Sequence, residues 1–414
     1  GPKMSSFTRV EVLNTGSELL FGSVVNTHLT FLAQQLFPLG IRVQRQTTVP
    51  DGDAIREAIA ESASRCDVIL ATGGIGPTAD DMTREIVAEF TGRPLHFDDN
   101  ILQKIRERFD KRGLTMTDRT ARQAYVPDGA TVIPNDHGTA PGLYIPARNG
   151  IPHLILLPGP PRELYPMVTN YVLPILRRLG GDHDLHARTY RITGLGESQV
   201  ERQIGKQLAA IPGLELGYCA GMGEVDVRLI GPQSALAEAS ELVERALGSY
   251  IVTTEEKQIE EIIVGLLTAR KATLATAESC TGGLLASRIT DVPGSSLVFL
   301  EGNVTYSNDA KTRTLGVPEA LLSTVGAVSE EVARAMAEGA LKRAGSAYAL
   351  STTGIAGPDG GSDKKPVGTV FIGLAGAGFD SIVEKEFFPT DRASFKRICT
   401  QHALEMLRRK ILGI

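Results

Sequence analysis

Ser279 closes a run of residue types that could do nucleophilic chemistry. In Ala277-Glu278-Ser279-Cys280-Thr281-Gly282-Gly283 an apolar stretch ends in a hydroxyl, a thiol and a glycine pair. A strand that delivers Ser279 into a turn before a helix would place its hydroxyl beside free backbone N–H groups, which hold an oxyanion or a phosphate. The logic is that of a nucleophile elbow, although the G-x-S-x-G spelling is absent. Ser279 also has a plainer reading as a helix N-cap. Cys280 competes as nucleophile, because a helix start favours a thiolate. A cysteine nucleophile wants an imidazole base, and the C-terminal stretch holds only His402. A serine can instead use a lysine whose pKa is lowered. Tyr306-Ser307-Asn308-Asp309-Ala310-Lys311 supplies a phenol and an amine together. A solvated helix face for Lys311 and half-buried packing for Tyr306 are the competing readings.

A second set lies near the N-terminus. Thr72-Gly73-Gly74-Ile75-Gly76-Pro77-Thr78-Ala79-Asp80-Asp81 puts glycines, a hydroxyl and two acids just past an apolar run. Gly73, Gly74 and Gly76 let backbone approach a phosphate, and a following helix start favours one. Asp80 and Asp81 would suit Mg²⁺ or another hard divalent ion bridging phosphate oxygens. Against this, Thr78 and Asp81 have the spacing of a capping box.

The elements that must carry these residues fall into three segments. Over the first ~170 residues, short apolar runs (Val10 to Leu13, Val68 to Ala71, Leu154 to Leu157) alternate with helical patterns. Leu29, Leu32, Ala33 and Leu36 share one helical face before Gly40. That alternation predicts βαβ units around a parallel sheet, with ligands beyond the carboxyl ends of its strands. Residues 175–253 change rhythm to strand, helix, strand, strand, helix, strand, a split βαββαβ unit. Residues 258–414 return to α/β. A strand over 273–277 leads into Ser279, a helix starts near Ser329, and a hairpin spans 367–374 and 381–387. The final helix presents Phe395, Ile398, Cys399 and Leu407 to the core. The expected fold class is therefore α/β: two three-layer α/β domains, 4–172 and 258–414, joined by a small α+β domain.

Composition excludes several classes. The chain has 414 residues, too many for one core, since cores stop growing near roughly 250–300. Hydrophobic residues are 42% and charged residues 22%, ordinary for a globular chain. No apolar run reaches the roughly 20 residues that cross a bilayer, and no secretion signal stands near Met4. Residues 1–3 read as a protease-cleavage scar. Cys66, Cys219, Cys280 and Cys399 are scattered with no C-x-x-C pair, which fits a reducing cytoplasm rather than a zinc or disulfide framework. A net charge of −5 argues against nucleic acid as a partner.

Longer runs add a resemblance. Ala277 to Gly283, Gly302-Asn303-Val304-Thr305-Tyr306-Ser307-Asn308 with Lys311, Leu315-Gly316-Val317, and Thr353-Gly354-Ile355-Ala356-Gly357-Pro358, in this order, resemble the nicotinamide mononucleotide deamidase domain of the competence/damage-inducible CinA family. The resemblance implies Ser279 as nucleophile, with Lys311 and Tyr306 in proton transfer. Thr281, Gly282, Gly283, Gly354 and Gly357 would bind substrate, and Arg392 would clamp its phosphate unless it is only an exposed helix-start residue. No cofactor is expected there. Thr15-Gly16-Ser17-Glu18-Leu19-Leu20, the run around Thr78 to Asp81, Asn135 to Gly142, and Pro158-Gly159-Pro160-Pro161-Arg162-Glu163 resemble that family's N-terminal domain. This domain is related to molybdopterin-binding proteins and is associated with metal-dependent ADP-ribose pyrophosphatase activity. The resemblance implies a divalent metal near Asp80 and Asp81, with Glu18 and Glu163 further candidates. Asn26-Thr27 departs from the Thr-Asn pair expected there. The middle segment is similar to a KH-like domain without a basic G-x-x-G loop, so no RNA partner is inferred. Implied partners are the two nucleotides and a second copy of the chain in a homodimer, with no membrane.

Overall fold

The computed structural model describes residues 8–180 and 184–414; residues 1–3, read above as a scar, lie outside them. The chain divides at His186/Ala187 into two compact units.

The first unit is built on a six-stranded sheet. Its strands are β1 (Val10–Thr15), β2 (Val43–Val49), β3 (Val68–Thr72), β6 (Thr131–Ile133), β7 (Gly142–Ile145) and β8 (His153–Leu157), in the order β2-β1-β3-β8-β7-β6. The short pair β4 (Leu95–Phe97) and β5 (Tyr125–Pro127) stands apart. β2, β1, β3 and β8 run parallel, whereas β7 and β6 are antiparallel. Strand alternation sends Leu13, Ile69, Ala71, Leu154 and Leu156 into one core. Val10, Val12, Val68, Leu70, Ile155 and Leu157 enter another. Both faces are thus covered, and the central strands read as continuous apolar runs. The helix carrying Leu29 to Leu36 spans His28–Leu36, and Gly40 ends the following turn at φ 73°.

The second unit begins with a small α+β layer. Its strands β9 (His186–Thr193), β10 (Glu215–Ala220), β11 (Glu224–Gly231) and β12 (Ile251–Thr253) order as β10-β11-β9-β12. With a helical stretch from Glu197 and the helix Gln233–Leu247, this is the expected βαββαβ order. The C-terminal sheet follows, comprising β13 (Leu274–Glu278), β14 (Phe299–Val304), β15 (Tyr348–Gly354), β16 (Thr369–Gly376) and β17 (Phe379–Phe387), in the order β14-β13-β15-β16-β17. β14, β13 and β15 are parallel, and β15, β16 and β17 antiparallel. Helices Ile259–Arg270 and Arg392–Leu412 cover one face around Leu274, Leu350 and Ile372. Helix Glu330–Ala344, N-capped by Ser329, covers the other around Ala275, Ala277 and Ala349. The fold is α/β, with two three-layer domains and a small α+β domain.

The two C-terminal layers are tied by buried polar contacts. Arg288, almost fully buried, donates to Glu260 (2.7 Å), Gln401 (2.8 Å) and Thr400 (3.0 Å). Gln401 in turn donates to Glu224 of β11 (3.2 Å). Among the described residues no helix is long and apolar enough to cross a membrane.

Candidate active site

Three strand ends converge on Ser279. Its N–H donates to the Thr352 carbonyl of β15 (2.9 Å), and the Thr305 N–H after β14 donates to the Glu278 carbonyl (2.9 Å). The turn beyond Ser279 needs φ of +58° at Gly282 and +102° at Gly283, which only glycine adopts without strain. The Gly282 N–H closes this turn on the Ser279 carbonyl (3.1 Å).

A buried carboxylate organises the turn. Glu278 is fully buried, and its oxygens accept from the N–H groups of Leu285 (2.8 Å) and Ala286 (3.1 Å) and from the Thr281 hydroxyl (2.6 Å). Negative charge at a helix N-terminus is stabilised by the unpaired amides there. The helix Leu284–Thr290 therefore begins already occupied. The sequence reading of a helix start open to a substrate anion is corrected here, because the protein's own carboxylate fills it. The N–H groups of Cys280 and Thr281 keep no protein acceptor among the described residues. Ser279 is not an N-cap either, since Gly283 holds that position.

Lys311 enters from the first turn of the helix Asn308–Leu315, N-capped by Ser307. It is 1% exposed. Its Nζ lies 2.9 Å from Ser279 Oγ, 2.9 Å from the Thr305 carbonyl and 3.0 Å from the Tyr306 carbonyl. Burial lowers its pKa from the ordinary lysine value. A neutral amine has two N–H bonds and one lone pair. Two carbonyls take the hydrogens, and the lone pair is left for the Ser279 hydroxyl. Cys280 is buried, and His402 sits instead against Glu384 and Glu386, so among the described residues the thiol has no imidazole base.

A pocket of about 270 Å³ opens over this pair, lined among others by Cys280, Tyr306, Asn308, Gly354, Gly357 and Arg392. Tyr306 is 60% exposed, and its hydroxyl accepts from Arg392 (3.0 Å) rather than bonding Ser279 or Lys311. Arg392 also donates to the Gly357 carbonyl. Thr281 is buried behind the turn, its hydroxyl between Glu278 and Thr352 (2.7 Å), and neither it nor Gly282 and Gly283 lines the pocket. Asn308 and Asp359 line it without having been singled out in the sequence. Asn308 sits one residue past the helix cap, a position that the stretch before Lys311 already marked.

In the first unit, a cleft of about 520 Å³ gathers Glu18, Gly73, Gly74, Gly76, Thr78, Asp80, Asp81 and Glu163 at the carboxyl ends of β1, β3 and β8. Asp81 Oδ2 accepts from the Thr78 N–H (2.9 Å) and hydroxyl (2.7 Å). The pairing precedes the helix Thr83–Phe90, whose N-cap is Met82, so it braces a turn rather than forming a capping box. Glu163 accepts from Asn135 (2.8 Å). Glu18 and Asp80 line the same cleft, and neither makes a side-chain hydrogen bond among the described residues. The donors are all hard oxygens, which fits a hard divalent ion. Among the described residues no three of these acids bring oxygens within 4.8 Å; that grouping occurs elsewhere. Gly73 and Gly74 also have a packing reason, since a Cβ would lie 2.4 Å from the Thr15 carbonyl and 1.9 Å from the Thr83 hydroxyl. Asn26 takes a local role, accepting from the His28 N–H (3.1 Å) and donating to Thr48 (3.4 Å).

Comparison with known proteins follows the same division. Residues 256–411 match the family model "CinA C-terminal domain", 187–253 the "Damage-inducible protein CinA KH domain", and 11–178 the "Probable molybdopterin binding domain". A CinA-like protein of Akkermansia muciniphila is 47% identical over 396 residues, covering 96% of each chain. A CinA-like protein of Dictyoglomus thermophilum is 41% identical over 414 residues, covering 98% of this chain and 100% of that one. The crystal structure of the competence/damage inducible protein CihA from Agrobacterium tumefaciens is 38% identical and covers 38% of this chain and 98% of that one, at a TM-score of 0.36. Matched along nearly its whole length by proteins more than 40% identical, and in all three segments by the corresponding domain models, the chain belongs to the CinA family.

Proposed function

We propose that the C-terminal domain hydrolyses the carboxamide of nicotinamide mononucleotide to nicotinic acid mononucleotide and ammonia. The observation that carries this reading is the amine of Lys311 held 2.9 Å from Ser279 Oγ by two carbonyls. Neutral Lys311 takes the hydroxyl proton as Ser279 Oγ attacks the carboxamide carbon. Cys280 lines the pocket and its N–H, without a protein acceptor among the described residues, would donate to the oxyanion, an effect of about 2.7–4 kcal/mol per donor in known cases. Lys311, now an ammonium, returns the proton to the departing ammonia. Water then attacks the acyl-serine, with Lys311 again as base. For Tyr306 to relay the proton, its ring must turn inward from Arg392; its exposure leaves room for that. Arg392, at the pocket rim, supplies a fork for the substrate phosphate. The amidase step uses no cofactor.

In the first unit the same reading gives metal-dependent cleavage of ADP-ribose. A divalent ion bound there would screen the pyrophosphate charge. Glu18 and Asp80 are the carboxylates free to hold it, while Asp81 and Glu163 brace the surrounding turns. Four free cysteines accord with a reducing cytoplasm.

The test is ammonia release from nicotinamide mononucleotide by the full-length protein. Turnover lost in Ser279→Ala supports the reading, and turnover unchanged in that variant overturns it.

A further inference from the structure

The edge strand of the C-terminal sheet breaks the pattern of its neighbour. β16 sends Val370, Ile372 and Leu374 into the buried core. Directly opposite them on β17 stand Glu386, Glu384 and Ile382. Cross-strand partners share a sheet face, so two carboxylates occupy positions where packing alone asks for apolar side chains. The helix Arg392–Leu412 lies over this face and brings His402 to the same point. His402 Nε2 touches Glu384 Oε2 and lies 3.6 Å from Glu386 Oε1. One ligand atom from each of the three residues falls within 4.8 Å of the others.

The surroundings point to a bound charge. Acids two apart on one strand face repel each other, His402 is the side chain in contact with both, and the cations that also line the cleft are engaged elsewhere, Arg409 with Glu405 and Lys410 over the Phe379 ring. The cluster is half-buried, with side-chain exposures of 27% for His402, 43% for Glu384 and 35% for Glu386. It forms part of the wall of a cleft of about 980 Å³ whose far side is supplied by the small middle domain at Thr193–Glu197 and Ala220–Val225. None of the three residues lines the pocket over Ser279.

We propose that Glu384, Glu386 and His402 form a binding site for a divalent transition ion of the zinc class, with its remaining coordination position open to the cleft. One imidazole nitrogen and two carboxylate oxygens suit Zn²⁺, Co²⁺ or Mn²⁺, whereas Mg²⁺ and Ca²⁺ prefer oxygen alone. Ligands at about 2.0–2.2 Å from a common ion stand roughly 3–3.6 Å apart, so small side-chain rotations close the observed cluster. The ligands come from a sheet strand and a packed helix, which keeps their backbones fixed. Such an ion would sit at the seam between the middle and C-terminal domains. The inference does not depend on the amidase reading, because its readout is metal binding.

The experiment strips the full-length protein with a chelator and titrates it with Co²⁺, following visible absorption, calorimetric stoichiometry and melting temperature. Besides any cobalt held by the carboxylates of the first unit, the wild type is expected to take one further equivalent that raises the melting temperature and gives the stronger absorption of a low-coordinate, nitrogen-ligated cobalt. Zn²⁺ should displace it. His402→Gln and Glu386→Gln should lose that equivalent while retaining the wild-type circular dichroism. Asp80→Asn, in the first unit, should keep it, which separates this site from any all-oxygen site there. Should the wild type bind no cobalt, or should His402→Gln bind it with the same stoichiometry and spectrum, the three residues form an ion pair only and the proposal fails.

Discussion

Lys311 Nζ lies 2.9 Å from Ser279 Oγ, and its other two hydrogen-bond partners are carbonyl oxygens, not carboxylates. A carboxylate there would hold the amine charged. Uncharged acceptors and burial instead favour the neutral base. Ser279→Ala should therefore lower kcat for ammonia release by about a thousandfold or more, with an unchanged melting curve. Cys280→Ala should retain most activity, and a dead Cys280→Ala with an active Ser279→Ala would transfer the nucleophile to the thiol.

The lowered pKa of Lys311 gives two pH signatures. The base must be neutral, so kcat should rise with pH through the folded-state value, which lies below the ordinary 10.5. Between those two values the unfolded chain holds a proton that the folded chain lacks. Stability contributed by this residue therefore increases with pH across that window. Lys311→Met should abolish turnover and flatten that part of the stability–pH curve, read by chemical denaturation at several pH values.

Glu278 acts through the turn and not on substrate. Glu278→Gln turns an amide N–H₂ toward the Leu285 or Ala286 N–H, leaving a buried donor without an acceptor. We expect a loss of about 1–3 kcal/mol in unfolding free energy. The same variant should show a fall in kcat with KM little changed. A KM effect alone would place Glu278 in substrate binding.

Arg392 bonds both Tyr306 and the Gly357 carbonyl at the pocket rim. Arg392→Ala should raise KM for the mononucleotide by about 10-fold to 100-fold, in keeping with roughly 1.5–3 kcal/mol for a charged hydrogen bond. The phosphate-free nucleoside should be affected far less. An equal loss for both substrates would remove the phosphate role.

In the first unit, Asp80→Asn and Glu18→Gln should abolish metal-dependent ADP-ribose hydrolysis without changing the melting temperature. Asp81→Asn should lower both, because Asp81 braces the Thr78 turn through two hydrogen bonds. Hydrolysis that persists in Asp80→Asn would exclude that carboxylate from the metal.

Much of this architecture was legible in the sequence, for physical reasons. The middle domain alternates strand and helix with clear turns, so its βαββαβ order could be read directly. The turn around Ser279 announced itself through an apolar run ending at a glycine pair. Other features needed the tertiary structure. Lys311 read equally well as a solvated helix residue, since nothing in the chain shows that a stem 32 residues away reaches back to Ser279. β14, with Glu301 and Gly302 inside it, lacks the continuous apolar run of its neighbours because it is the edge strand. Glu278 stood in the sequence only as a member of the run around Ser279. Its acceptors' partners are amides seven and eight residues on, and that distance is set by the turn. The Thr78–Asp81 spacing pointed to a helix cap, but the helix begins two residues beyond Asp81.

One peptide serves two masters here. The Tyr306 residue presents its ring to the pocket while its own main-chain oxygen aims the Lys311 amine. Replacing the side chain leaves that oxygen in place, so Tyr306→Phe probes the phenol alone. An insertion, deletion or proline anywhere from 304 to 307 instead misaims the general base, and a dead enzyme made that way carries no information about what the ring touches.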